Sequence, residues 1–185
     1  IDPRSNKPYV YLETLGGGMG ARATKDGKDG VQVGITNTSN LPVEAIEQEY
    51  PLRVEEYSLV GNSGGAGQYR GGMGIRRVLT PVDHECDFNG AGERFRYQPW
   101  GLFGGEDGKS GRFLIRDAEG ERRLDDKPNR VTVPVDTRIV VETPGAGGYG
   151  PPAERTSAAV KLDYKSGKYS ADFVDKYYKN TPKGG

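Results

Sequence analysis

Apolar and β-branched runs recur along the chain, each closed by glycine or proline: Tyr9 to Leu15, Val31 to Thr36, Leu52 to Val60, Ile75 to Thr80, Arg112 to Arg116, Arg130 to Val135 and Arg138 to Thr143. Runs this short and this regularly punctuated predict a mainly β protein, α+β overall, with glycine-rich loops between short, mostly antiparallel strands. Leu52 and Val54, then Tyr57 and Leu59, alternate except for one extra residue at Glu55-Glu56. A bulge in a half-buried strand leaves that pattern. The run Arg138 to Thr143 alternates too, and its length also suits a strand buried on both faces.

Two stretches read as helices. Pro42 suits the first turn of a short helix through Gln48, with Val43 and Ile46 on one face and Glu44 and Glu47 on another. Near the end, Ser170 is placed to cap a C-terminal helix over about 170–179 whose Phe173, Val174, Tyr177 and Tyr178 form an apolar stripe that needs a surface to dock on. The run Gly145-Ala146-Gly147-Gly148-Tyr149-Gly150-Pro151-Pro152 divides the chain into a β-rich region, 1–152, and a tail, 153–185, with that one helix. Residues Thr181 to Gly185 are expected to be mobile.

The glycines pose a sharper question. The tetrapeptide Gly17-Gly18-Met19-Gly20 recurs at Gly71-Gly72-Met73-Gly74, and these hold the chain's two methionines. Bare backbone lets N–H groups converge on an anion, and it equally lets a chain turn without any ligand. A dinucleotide fingerprint needs different spacing and a following helix, but Ala21 to Gly30 is charged and glycine-bearing. Gly104 to Ser110 approaches a phosphate loop, yet Phe103 stands where its first glycine belongs and a strand-like run follows. A hairpin turn is expected there. The stretch Asn62 to Gly74 is too long for an ordinary hairpin loop and reads as a functional or disordered loop or, the favoured reading, as a plain structural corner; any order in it would have to come from contacts with another element or another subunit.

Composition narrows the chemistry. With 26 basic and 26 acidic side chains, no net field draws the chain to nucleic acid or to a membrane. The 29 glycines and 12 prolines in 185 residues stay below the ~25–30% that marks low complexity. One cysteine, Cys86, no signal-peptide pattern and no long apolar span read as a soluble, cytoplasmic protein. His84 and Cys86 alone cannot assemble a zinc site, so no metal is expected on this chain. The start at Ile1 fits a processed product, a trimmed chain or a fragment.

No Ser-His-Asp or Cys-His set stands out. Glu44 and Glu47, with Glu49 beyond, read either as a solvated helix face or as carboxylates beside a pocket. Glu93-Arg94 reads as an ion pair or exposed turn, or as a substrate clamp. Trp100 reads as a core or interface anchor.

Five stretches, "YVYLETLGGGMGAR", "DGVQVGITNTSNLPVEAIEQEYPLRVEEY", "SGGAGQYRGGMGIRR", "GERFRYQPWGLFGG" and "VETPGAGGYGPP", agree in sequence and order with one family. From about Tyr9 to about Pro152 the chain resembles the C-terminal part of the hydantoinase B/5-oxoprolinase family. This family includes B-type subunits of ATP-dependent hydantoinases and lactamases, 5-oxoprolinase, and related subunits of acetone and acetophenone carboxylases. The resemblance implies part of a hetero-oligomeric machine that opens a hydantoin, 5-oxoproline or lactam ring, or alternatively carboxylates a ketone; a non-catalytic β scaffold within such a complex is the other reading. It implies ATP and Mg²⁺ on a hydantoinase A-like partner subunit, the remaining part of the B-type subunit as a second partner, and a cyclic amide or ketone substrate. Any divalent metal is implied to lie outside this chain.

Many relatives carry a histidine just before the Thr-Asn-Thr motif, where this chain has Val33-Gly34-Ile35. No role for it carries over. The family pattern does match at Gly17, Gly18, Met19 and Gly20, at Thr36, Asn37 and Thr38, at Glu44, Glu47 and Arg53, at Arg70, and at Glu93 and Arg94. The resemblance assigns none of these a catalytic step. They are expected to line an internal channel or the subunit seam.

Overall fold

A computed structural model describes residues 1–179, so the expectation for Thr181 to Gly185 lies outside the described residues. Helix α1 (Val43–Glu49) leads into β1 (Leu52–Leu59), followed by β2 (Ile75–Pro81), β3 (Cys86–Phe88), β4 (Arg112–Asp117), β5 (Gly120–Arg123), β6 (Val131–Val133) and β7 (Arg138–Glu142). A 3₁₀ turn (Pro152–Glu154), α2 (Ser157–Lys165) and α3 (Ala171–Tyr177) complete the chain. Five strands form one sheet in the order β1-β2-β7-β4-β5, and β3 pairs with β6. Every strand pair is antiparallel.

The alternating pattern places the core. Phe113, Ile115, Ile139 and Val141 point to one face of β4 and β7, where Phe95 and Val133 pack on them. Phe95 and Phe88 meet the Phe113 ring at centroid distances of 4.7 and 5.4 Å. Val78, Val140 and Leu114 fill the opposite face, so β2 and β7 are buried on both sides, as the unbroken apolar character of β7 allows. Register in β1 shifts between Val54 and Glu56, which leaves Glu55 as the extra residue of the expected bulge. Ile46 of α1 packs on Leu52 and Leu79.

Three local expectations are corrected. Tyr9–Leu15 and Val31–Thr36 are not ladder strands; among the described residues, the only pairing they touch is an isolated bridge between Gly17 and Val31. Side chains anchor the first of these runs: Tyr9 donates its hydroxyl to His84 Nε2 at 2.6 Å, and Glu13 binds the buried Arg77. Second, Gly104 to Ser110 is not a hairpin. The turn lies earlier, where the Gly105 N–H reaches the Leu102 carbonyl at 3.0 Å and both central residues, Phe103 and Gly104, have positive φ. Third, of the two readings of Trp100 the core one fails, since the side chain is 60% exposed, with the Arg94 guanidinium 4.4 Å from its ring; the interface reading is untouched by this.

The tail carries a second helix, α2, that the apolar pattern did not disclose, before α3 with its Ser170 cap. Thr156 accepts from the Ala159 N–H and caps α2. The docking surface for α3 is within this chain: Tyr169, Tyr178 and Val160 pack on Ala66 and Met73. Tyr169 and Phe173 stack at 4.1 Å.

Candidate functional site

The glycine segments come together beside the sheet. Residues 16–20, 27–30, 63–74, 105–109 and 144–148 lie next to one another and exchange backbone hydrogen bonds: Gly18 to Pro144, Gly72 to Met19, Ala146 to Gly72, Gly65 to Ala146 and Glu106 to Ala66, all between 2.7 and 3.0 Å. None of Gly18, Gly64, Gly65, Gly71, Gly72, Gly145 or Gly147 has positive φ, so backbone freedom is not what selects glycine. Space selects it. A Cβ on Gly71 would lie 1.8 Å from the Ala146 carbonyl oxygen, on Gly72 1.9 Å from that of Lys28, and on Gly18 2.0 Å from that of Gly72. At such approach the Cα–H groups themselves face neighbouring carbonyls.

Met73 is wholly buried in this bundle, and its sulfur accepts from the Gly64 N–H at 3.2 Å. Tyrosine hydroxyls of the tail reach the bared backbone: Tyr169 donates to the Gly64 carbonyl at 3.1 Å, and the Gly67 N–H donates to the Tyr178 oxygen at 3.1 Å.

A buried ionic cluster locks the bundle to the tail. Arg70 contacts Asp29 at 2.8 Å and Asp163 at 3.0 Å; Arg155 contacts Asp26 and Asp163, both at 2.7 Å; Lys168 reaches Asp29 at 3.2 Å. Three cations therefore meet three carboxylates, and their hydrogen bonds leave no free acceptor aimed at a ligand. Burial pushes the Asp26 and Asp29 carboxyls up, but the hydrogen bonds from Arg155 and Arg70 outweigh it and hold both below the usual carboxylate range. Burial likewise opposes the charge on Arg155, and Asp26 and Asp163 more than restore it. Neither Asp163 nor Arg155 was singled out from the sequence. A lone acid on a polar helix carries no signal until the fold supplies its partners.

A second buried pair sits across the molecule. Arg77 on β2 contacts Glu13 at 2.7 Å, and its guanidinium lies 4.1 Å from the Tyr57 ring centre. Glu13 also accepts from the Leu41 N–H. His84 Nδ1 lies 2.8 Å from the Val82 carbonyl, which fixes that nitrogen as the donor and Nε2 as acceptor of the Tyr9 hydroxyl. Burial pushes the Tyr9 phenol up to about 12. Both ring nitrogens of His84 are thus engaged within the chain.

The sequence-derived candidates divide by position. Gly17 and Glu93 line one cleft of about 500 Å³, between residues 12–17 and the loop 88–93, floored by Phe113 and Val141. Glu93 and Arg94 also border a neighbouring surface cavity of about 560 Å³ with Asp125, Asp126 and Lys127. Gly18, Met19 and Arg70 belong to the bundle, Arg70 with its charge committed internally, while Gly20 is exposed at its edge. Thr36, Asn37 and Thr38 lie on an exposed loop, where Thr38 donates to Gln32 Oε1 at 2.6 Å. Glu44, Glu47 and Arg53 are exposed on α1 and β1, with Glu47 accepting from the Val54 N–H at 2.8 Å. Among the described residues, no group of three or more His, Cys, Asp and Glu is arranged to hold a metal ion. No helix there is long and apolar enough to cross a membrane.

Comparison with known proteins gives this arrangement a context. The Hydantoinase B/oxoprolinase family model matches residues 1–152, which takes in the sheet, the cleft and all the glycine segments. The chain belongs to this family. A relative from Pseudomonas sp. (strain NS671), named as the B-type subunit of a putative D-/L-hydantoinase, is 41% identical over 169 residues, covering 89% of this chain but 28% of that protein. The crystal structure of ATP-dependent caprolactamase from Pseudomonas jessenii superposes with a TM-score of 0.78 at 30% identity, over 96% of this chain and 32% of that one. The nucleotide-free structure of acetone carboxylase shares the fold, with a TM-score of 0.69 at 20% identity over 87% of this chain and 26% of that one. The chain therefore spans under a third of the length of these proteins.

Proposed function

We propose that the chain is the C-terminal part of a B-type subunit in an ATP-dependent cyclic amidohydrolase that opens a hydantoin, 5-oxoproline or lactam ring. One observation carries the reading: the family match runs continuously over residues 1–152, and a solved structure with a TM-score of 0.78 to this chain is that of a caprolactamase. The carboxylase alternative draws support from the acetone carboxylase neighbour at the level of fold alone.

The chemistry asks for a division of labour. A ring amide is a poor electrophile because nitrogen donates into the carbonyl. Transfer of the γ-phosphoryl group of ATP to the carbonyl oxygen, on an A-type partner subunit with Mg²⁺, converts that oxygen into a leaving group. Water then adds at the carbon, the ring nitrogen leaves as the amine as the C–N bond opens to an acyl phosphate, and a second water cleaves the acyl phosphate to carboxylate and free phosphate. This chain supplies rigidity and a seam in that scheme. Its buried carboxylates are already paired with arginines, and its one histidine is held by Tyr9 and Val82. The seam would run over Gly17, Gly20, the Thr36-Asn37-Thr38 loop, the Glu44, Glu47 and Arg53 face and the Glu93-Arg94 turn, with Gly18, Met19 and Arg70 backing it from within.

The test is reconstitution: the chain is assembled with the rest of its B-type subunit and an A-type subunit, and phosphate release is measured with hydantoin, 5-oxoproline and caprolactam, and with acetone plus bicarbonate. Release coupled to ring opening supports the hydrolase reading. Release coupled only to ketone carboxylation overturns it in favour of the alternative, and a complete assembly inert toward both classes leaves the scaffold reading.

A further inference from the structure

The N-terminal run Tyr9–Leu15 behaves as a strand in every respect but pairing. Exposure alternates along it: Val10 and Leu12 are 83% and 88% exposed and Thr14 is exposed, while Tyr9, Tyr11, Glu13 and Leu15 turn inward. The inward side chains anchor it through His84, Tyr50 and Arg77. Yet no backbone N–H from Tyr9 to Leu15 meets an acceptor among the described residues, and only the Thr14 carbonyl meets a donor, from Gln32. An extended backbone with free donors and acceptors and outward apolar side chains is a template for another strand.

The cleft adjoins this template. Leu12 and Thr14 form one wall of the 500 Å³ cavity whose floor is Phe113 and Val141. A strand laid beside residues 9–15 would place alternate side chains into that cavity, since successive residues point to opposite faces. A small polar ligand finds little there, because the walls are mainly apolar and the Glu13 carboxylate is already held by Arg77.

We propose that Tyr9–Leu15 seats an additional β-strand, and that the occupant is an extended apolar segment of the remaining part of the B-type subunit, with alternate side chains filling the cleft. This rests on the proposed function for the identity of the partner. The relatives supply the reason for choosing it over other proteins: more than two thirds of their length lies beyond the matched part.

The test compares residue-resolved amide hydrogen exchange in the isolated chain and in the assembled B-type subunit, after native mass spectrometry has established assembly. Pairing along one edge protects every second amide, because successive N–H groups of a strand point to opposite sides. Expected is a slowing on the order of 100-fold at either Val10, Leu12 and Thr14 or Tyr11, Glu13 and Leu15, with the other set unchanged. Leu12→Pro and Val10→Pro remove backbone donors that the isolated chain does not use: with Val10, Leu12 and Thr14 as the protected set, at least one should melt like the parent yet assemble roughly tenfold more weakly, and with Tyr11, Glu13 and Leu15 as the protected set both should assemble like the parent. Uniform protection, no protection at either set, or assembly indifferent to both prolines when Val10, Leu12 and Thr14 are the protected set, overturns the strand. Alternate protection that grows with concentration in the isolated chain identifies a second copy as occupant and overturns the choice of partner. Failure of the parent chain to assemble at all overturns the proposed function and this inference with it, and is distinguished because the native mass spectrum reports it before any exchange is measured.

Discussion

The five-stranded sheet and the glycine bundle solve the same problem by opposite means. In the sheet, side chains such as Ile115, Val140 and Phe113 stand above and below the hydrogen-bonded strands, and stability comes from the apolar area these bury. In the bundle, segments touch backbone to backbone, with carbonyl oxygens lying where a Cβ would stand at Gly18, Gly71 and Gly72. A sheet core is made by choosing among side chains of suitable size, and it tolerates exchange among them. The bundle is made by excluding side chains altogether, so it has no substitute for the residue it uses. What it gains is a rigid platform in a very small cross-section, onto which the tail's tyrosines hydrogen-bond directly.

The largest expected effect breaks that contrast at its sharpest point. Gly71→Ala adds one carbon 1.8 Å from the Ala146 oxygen, with a backbone atom that cannot swing aside. Overpacking of this kind is expected to cost at least about 3 kcal/mol, a large part of a domain's usual margin of ~5–15 kcal/mol. Gly20→Ala is the control, since nothing lies within 4 Å of its added carbon. Urea unfolding of both variants decides the matter; a Gly71→Ala midpoint equal to that of Gly20→Ala would sink the space-filling account of the bundle.

Next in size is the ionic lock. Asp163→Asn keeps the shape and removes the one fully buried carboxylate of the three, which leaves Arg70 and Arg155 each short of a partner. Breaking such a pair costs about 3 kcal/mol, and the loss should fall on α2 and α3. Amide exchange is expected to quicken there while β2 and β7 keep their protection; equal loss in the sheet would show that the lock serves the whole fold.

Acid probes the same lock more gently. Asp26 and Asp29 titrate below the ordinary aspartate value of 3.8 in the folded chain. A depressed carboxylate gives stability that is complete above its unfolded value and disappears as pH falls through the folded one. The tail should therefore hold at pH 5 and loosen only as pH falls below the ordinary aspartate value of 3.8, as followed by near-ultraviolet circular dichroism of its tyrosines. Loosening that is already complete at pH 5 would contradict the assignment.

The two regions also differed in what the sequence disclosed. The sheet was legible because burial imposes alternation, down to the single extra residue at Glu55. Helix α3 was legible through its Ser170 cap and aromatic stripe. Helix α2 was not, for a physical reason: Leu162 and Tyr164 are exposed, and the positions it buries are Val160 and Asp163. A helix held down by an ion pair lacks the apolar stripe by which helices are recognised. The polar edge strand β5 was missed likewise, being exposed throughout and joined to β4 by the turn at Gly120 and the Arg116–Glu121 pair. The bundle was visible as composition, but the identity of its neighbours depends on contacts far apart in sequence, so a phosphate cradle, a corner and a packed bundle all shared one signature. The candidate site was legible only as a set of family-matched positions. Their division between interior, exposed face and cleft required the fold.

The smallest effect completes the comparison from the other side. Ile115→Val removes one carbon from the best-packed layer of the sheet, where Ile115 is 1% exposed among Phe113, Ile139 and Val141. The neighbours are side chains with freedom to relax, so the expected loss is about 1 kcal/mol, well below that of adding one carbon at Gly71. Measured by urea unfolding under the same conditions, a loss at Ile115→Val equal to or larger than that at Gly71→Ala would reverse the ranking of the two regions. It would mean that the bundle yields to an added atom more easily than the sheet yields to a missing one, and that its glycines are there for something other than close approach.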